Sequence, residues 1–188
     1  DGAVLYAGTA GGAFRSANYG QSWTPMTVGA PSQVVSCFYK NGPDMLAGLI
    51  GAGQYLYRST DQGLTWEPYG TGVYEIQQIE SLDGELFAVS GTLIYFSTDN
   101  GATWNPVGPG LVPGMPVSDI TTGDDHWWIA TYAGGYVQHT DSSNFLMVTA
   151  GMPLGGTNLS AVAVNNSWFV FGSLDNGIWY QPAGIITT

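Results

Sequence analysis

Ser97-Thr98-Asp99-Asn100-Gly101-Ala102-Thr103-Trp104 decides the fold, because the chain repeats it. The stretch recurs as Ser59-Thr60-Asp61-Gln62-Gly63-Leu64-Thr65-Trp66, and more loosely as Ser16-Ala17-Asn18-Tyr19-Gly20-Gln21-Ser22-Trp23. One copy has the chemistry of a self-satisfied turn. Asp or Asn is expected to bond the backbone two residues on, Gly to take positive φ, and Ser and Thr hydroxyls to satisfy the remaining amides. Trp is expected to open the next strand and plug the underside of the turn, a large apolar group with one N–H to satisfy. A fourth copy, His139-Thr140-Asp141-Ser142-Ser143-Asn144-Phe145-Leu146, keeps Asp141 and loses the Gly and the Trp.

Working outward, the tetrads Leu5-Tyr6-Ala7-Gly8, Met45-Leu46-Ala47-Gly48, Leu86-Phe87-Ala88-Val89, Trp128-Ile129-Ala130-Thr131 and Phe169-Val170-Phe171-Gly172 share one pattern. They end at 8, 48, 89, 131 and 172, steps of 40 to 42 residues. Periods of this length mark repeat architectures. Each tetrad reads as a second strand. A first strand precedes four of them, over 34–38, 76–80, 117–121 and 159–164, with polar hairpin turns such as Asp83-Gly84 between. A third strand leads into each Asp-turn, and a fourth closes on Pro and Gly. Four antiparallel strands per unit without helical periodicity predict an all-β, small β-propeller of about five blades. The units fall at about 1–30, 31–72, 73–114, 115–155 and 156–188 of a single domain, with both terminal blades incomplete.

The motif S-x-D-x-G-x-T-W after a third strand is identified as the Asp-box, or BNR repeat. The chain resembles secreted tandem-repeat propellers of bacteria and, more distantly, sortilin-type, sialidase-type and photosystem II assembly factor propellers. That resemblance implies a propeller and leaves the activity open. It makes Ser16, Asn18, Gly20, Trp23, Ser59, Asp61, Gly63, Trp66, Ser97, Asp99, Gly101, Trp104 and Asp141 structural residues of the blade periphery.

Composition narrows the function classes. The 188 residues carry 3 Lys and Arg against 14 Asp and Glu, a net charge of −11. Nucleic acid is excluded as a partner on that balance, since phosphate binding needs clustered cations. Neither a long apolar run nor a leader-like segment is visible, so no membrane insertion is expected. Few Lys with abundant Ser, Thr, Asn and Gly suggest a secreted or cell-surface protein. Lone Cys37, beside Val34, Val35 and Phe38, reads as a small core residue.

No catalytic set stands out. A sialidase needs an arginine cluster, whereas Arg15 and Arg58 occupy one repeat position before successive Asp-boxes. A glycosidase needs two facing carboxylates; Asp119 and Glu80, on first strands, are the best pair, and Asp124 and Asp125 read as turn formers. His126 and His139 have no Cys partner for zinc, so no metal and no cofactor are expected. Aromatics accumulate in the last two units: Trp127, Trp128, Tyr132, Tyr136, Trp168, Trp179 and Tyr180. Part of that set must be core, and the rest are candidates for a ligand platform or an interface. The β-branched tail with Ile185, Ile186 and Thr187 is a candidate for strand addition to a neighbour. The expected function is a non-enzymatic extracellular structural or interaction module. It would self-associate through its incomplete blades, with itself or an extracellular protein or glycan as partner. The alternatives are a carbohydrate-binding propeller using the late aromatics, and a fragment of a glycoside hydrolase.

Overall fold

The computed structural model describes residues 4–29, 34–51, 53–107, 116–123, 126–139, 146–148, 158–165, 168–175 and 177–182. Among them are five antiparallel sheets and no helix. Sheet 1 holds β1 (Leu5–Thr9), β2 (Gly12–Ser16) and β3 (Thr24–Met26); sheet 2 holds β4 (Val34–Asn41), β5 (Asp44–Ile50), β6 (Leu56–Ser59) and β7 (Glu67–Pro68). Sheet 3 is β8 (Gln78–Leu82), β9 (Glu85–Ser90), β10 (Leu93–Ser97) and β11 (Asn105–Pro106). Sheet 4 is β12 (Val117–Gly123), β13 (His126–Thr131), β14 (Gly134–His139) and β15 (Leu146–Val148), and sheet 5 is β16 (Leu159–Val164), β17 (Trp168–Ser173) and β18 (Gly177–Pro182). Every sheet runs as a meander, each strand beside its sequence neighbour, as a propeller blade requires.

The chain divides into two compact units, residues 1–79, 84–90 and 95–105 in one, and 80–83, 91–94 and 106–188 in the other. In the first, the core between sheets 1 and 2 is Ala13, Val28, Val35, Ala47 and Leu49, with Phe38, Tyr57 and Trp66 packed on it. A second cluster joins Leu46 and Leu56 to Ile76, Ile79, Leu86, Ala88 and Trp104. Cys37 is half-buried on that cluster, a core-edge residue. In the second unit Trp128, Ala130 and Val137 meet Leu159, Val162, Phe169 and Phe171. Each large side chain so enclosed contributes about 1.5–3 kcal/mol of transfer free energy.

Strand alternation gives every sheet two faces. Ala7, Ala47, Ala88 and Phe171 lie on the front, and Ala47, Ala88 and Phe171 meet the preceding sheet there. The back meets the following sheet, through Ala13 in sheet 1, Leu46 and Leu56 in sheet 2, and Trp128, Ala130 and Val137 in sheet 4.

Three sequence expectations need correction. The fourth unit is misaligned by one residue. Gly8↔Ala13, Gly48↔Leu56, Ala130↔Gly135 and Gly172↔Ile178 are equivalent pairs, so the fourth tetrad ends at Ala130 rather than Thr131. The first strand of sheet 3 is Gln78–Leu82, two residues later than 76–80: Glu75 has a positive φ of 44°, and Ile76 is buried in the core ahead of the strand. The box tryptophans Trp23, Trp66 and Trp104 stand just before the fourth strands instead of opening them.

Candidate functional site

The Asp-box turns divide their labour differently from the expectation. Ser59 Oγ accepts hydrogen bonds from the amides of Asp61 (3.3 Å) and Gly63 (2.8 Å) and donates to Asp61 Oδ1 (2.8 Å). Asp61 then accepts from the Thr65 amide at 2.8 Å and the Thr65 hydroxyl at 2.6 Å, four residues on rather than two. Trp66 Nε1 donates to Gly63 O at 3.1 Å. Ser97, Asp99, Gly101, Thr103 and Trp104 repeat the set, and Ser16, Asn18, Gly20 and Ser22 reproduce its Ser and Asn bonds. Two successive residues take left-handed φ: Tyr19–Gly20, Gln62–Gly63 and Asn100–Gly101. That double left-handed step carries the Thr amide round to the carboxylate. The hydroxyl of Thr65, ahead of its amide and Ser59, holds the Asp61 carboxyl down at about 2, and Thr103 lowers Asp99 in the same way. The acceptor atoms are occupied by their own turn, so the box is a staple.

The fourth box does not stand where its sequence suggests. Leu5↔Ser16 and Met45↔Ser59 correspond to Trp127↔Gln138, so Gln138, not His139, takes the serine's register position. Asp141, the turn pair Asp124 and Asp125, and Ile185, Ile186 and Thr187 lie outside the described residues.

The candidate carboxylate Asp119 is committed to backbone. Oδ2 accepts the Val162 amide at 2.8 Å and Oδ1 accepts the Ile120 amide at 2.9 Å. Asp119 follows a β-bulge that recurs at the same register in β4 and β16, between Val35 and Cys37 and between Leu159 and Ala161. A bulge re-aims side chains, and here it turns a carboxylate of sheet 4 onto the first strand of sheet 5. Ser36 makes a comparable tie between sheets 2 and 3, its Oγ lying within reach of the Gly48 and Ile76 carbonyls. Arg58 pairs with Asp44 at 2.7 Å and lies over the Tyr69 ring, 5.1 Å from its centroid. Arg15 has Val4 where Arg58 has Asp44, and its Nε makes no hydrogen bond. Among the described residues no group of three His, Cys, Asp or Glu could hold a metal ion.

A groove of about 820 Å³ runs between sheets 1 and 2, lined by Leu5, Tyr6, Phe38, Lys40, Met45 and Asp61. A smaller one of about 450 Å³, with Asp44, Arg58, Tyr69 and Asp99, lies at the corresponding place between sheets 2 and 3. In the smaller groove the box of sheet 3 meets the β4–β5 hairpin of sheet 2, and in the larger one the box of sheet 2 meets the start of β1 and that same hairpin.

The late aromatics separate into core and surface. Trp127 and Trp128 are buried, the latter stacked on Phe169 at 4.6 Å, which removes both from any ligand platform. Trp179 is half-buried against the same core, and Tyr136 is half-buried. Tyr132, Trp168 and Tyr180 are exposed, and the last two pack edge to face at 5.5 Å. By register Trp168 and Tyr180 stand where sheet 2 has Asp44 and Arg58, an aromatic pair in place of an ion pair.

These two belong to a larger surface that composition did not reveal. Ala161, Ala163, Trp168, Val170, Ile178 and Tyr180 share the back face of sheet 5 with Gly172 and Pro182, and none is charged. Ile178 is 72% exposed and Tyr180 67%, whereas Leu56 and Ala13, at the Ile178 position of sheets 2 and 1, are 0% and 2% exposed. Ile178 was missed because the sequence marks it only as a strand residue. Its exposure follows from there being, among the described residues, no following sheet.

Family comparison matches the BNR/Asp-box repeat over residues 57–68 and 95–106. No curated protein matches the chain. Among solved structures, YCF48 bound to D1 peptide superposes with a TM-score of 0.73 at 12% identity, over 96% of this chain and 62% of that one. The extracellular domain of the putative one-component system BT4673 from B. thetaiotaomicron gives 0.75 at 12% identity, over 95% and 26%. The GH74 xyloglucanase from Xanthomonas campestris gives 0.72 at 18% identity, over 97% and 35%. The chain thus spans less than two thirds of each of these propellers. It has the β-propeller fold and carries BNR/Asp-box repeats at residues 57–68 and 95–106.

Proposed function

We propose that the chain is a non-enzymatic, extracellular interaction module that associates with copies of itself. The observation that carries this is the uncharged, apolar back face of sheet 5, exposed in a chain of net charge −11. Contiguous apolar surface of this kind marks a protein interface. The absence of an enzymatic role is argued from Asp119, the leading carboxylate, whose two oxygens are both engaged by amides. Placement outside the cell rests on the lysine-poor, hydroxyl-rich composition, and an extracellular domain has the same fold. A YCF48 propeller is seen with a peptide, which makes protein recognition by this fold a natural use.

The edge-to-face Trp168–Tyr180 pair, with its planes at 65°, presents no flat platform for a sugar ring, so protein contact is favoured over glycan stacking. The test is molar mass in solution against concentration, by light scattering, for the wild type and Ile178→Asp. Assembly of the wild type and a 19.9 kDa single chain for the variant are expected. A wild type that stays a single chain at every concentration sinks the proposal. So does hydrolysis of a β-glucan or xyloglucan that disappears in Asp119→Asn.

A further inference from the structure

We infer that the partner of the sheet 5 back face is the front face of sheet 1 in a second copy, joined head to tail. The inference rests on the self-association proposed above and adds its geometry.

The argument is continuity of one contact through the chain. Sheets 1 and 2, sheets 2 and 3, and sheets 4 and 5 are joined alike, with the back of one on the front of the next. In each case the incoming front supplies an aliphatic or aromatic pair from the second strand, Ala47 and Leu49, Leu86 and Ala88, or Phe169 and Phe171. The back face of sheet 5 has the same construction. Ile178, at the register of Leu56, is a branched aliphatic side chain, and Gly172, at the register of Gly48, leaves room for an incoming side chain. A Cβ at Gly48 would meet Ile76, just ahead of sheet 3, and Cys37 Sγ of its own sheet, each at 2.6 Å, whereas at Gly172 the nearest atom is Ala161 Cβ at 3.6 Å, within its own sheet.

Sheet 1 shows the complementary vacancy. Its front face carries Leu5, Ala7 and Phe14, the register positions of Met45, Ala47 and Tyr57. Leu5 is 41% exposed where Met45 is 6%, and Trp23 is 43% exposed where Trp104 is 4%. The box glycines agree: besides its own box tryptophan, Gly63 meets Tyr6 and Gly101 meets Leu46, both side chains of the preceding sheet, whereas Gly20 meets Leu5 and Trp23, both of its own repeat unit. Sheet 1 therefore lacks a predecessor and sheet 5 a successor, among the described residues. Neither face bears a charge, so joining them buries no ion. Because the two faces differ, the contact is heterologous, and copies add in one direction into a closed ring or an open fibre.

Leu5→Asp spoils only the front face and Ile178→Asp only the back, and both side chains are exposed, so the fold has no reason to fail. Each variant alone is expected to run as a single chain by light scattering. Their equimolar mixture is expected to give a dimer of twice that mass and nothing larger, since one intact face of each kind remains. Gly172→Val, which adds bulk to the docking face where the isolated sheet has space, is expected to behave as Ile178→Asp does. If Leu5→Asp still assembles while Ile178→Asp does not, sheet 5 contacts something other than sheet 1, and this inference falls while self-association stands. If both variants assemble like the wild type, or the wild type never assembles, both readings fall.

Discussion

Asp61 shows how far a local motif can be read from its letters. Ser, Asp and Gly at those offsets announce a turn that satisfies its own amides, and that much was legible. The partition of bonds was not. Turn propensities place a carboxylate on the amide two residues on, but Gln62 at φ 60° followed by Gly63 at φ 78° turns the chain twice to the left. The Thr65 amide and hydroxyl then arrive at Asp61, and Ser59 takes the amides of Asp61 and Gly63. A non-glycine residue at positive φ is uncommon, and nothing in the identity of Gln62 signals it. The bonds have a pH signature. The Asp61 carboxyl sits at about 2 against an ordinary 3.8, so the folded state holds its proton less tightly than the unfolded chain does. The stabilisation is complete above about pH 4 and is lost as pH falls through 2. Urea midpoints from tryptophan fluorescence should fall between pH 4 and pH 2, and less steeply in Asp61→Asn. Parallel curves for wild type and variant would show that the Thr65 bonds do not couple to folding.

At the scale of the strand, almost every element was legible and one register was not. Five tetrads with even spacing located the second strands, and polar hairpins located the turns. In the fourth unit the run Trp127-Trp128-Ile129-Ala130-Thr131 is apolar at four successive positions, so alternation cannot choose its phase. A slip of one residue exchanges the faces of a strand, and it moved Trp128 from a supposed front position to the back, onto Phe169. The pairings of Ala130 with Asp119, after the bulge, and with Gly135 fix the phase. The glycines at 48 and 172 turn this register into a measurement. Gly48→Ala places a methyl 2.6 Å from both Cys37 Sγ and Ile76, inside a closed sheet pair, and should cost about 1–3 kcal/mol as an overpacked core does. Gly172→Ala, made in the Leu5→Asp background in which no second copy docks, should lie within about 0.5 kcal/mol of its parent, as surface changes do. Equal losses in chemical denaturation of the two variants in that background would mean that sheet 5 is covered within its own chain as sheet 2 is.

For the molecule as a whole, the balance is between net charge and apolar faces. Carboxylates are spread along the chain, and the formal charge of −11 with only three cationic side chains makes any two copies repel. The proposed contact joins Leu5, Ala7 and Phe14 to Val170, Ile178 and Tyr180, where no charge of either sign takes part. Screening therefore weakens the repulsion and leaves the attraction untouched. The screening length is about 30 Å at 0.01 M salt and about 3 Å at 1 M, so copies approaching at low salt feel one another's charge before their faces meet. Apolar burial is moreover strengthened by excluded salts such as sulfate. Self-association should tighten as sodium chloride is raised from about 0.01 to 0.3 M, by about an order of magnitude in dissociation constant, and should tighten further in sulfate at equal ionic strength. A contact built on Arg15, Lys40 or Arg58 against carboxylates would respond in the opposite sense, loosening as salt rises. Sedimentation velocity across that salt series distinguishes the two, and an assembly that dissolves on adding salt would rule out the apolar faces as its seat.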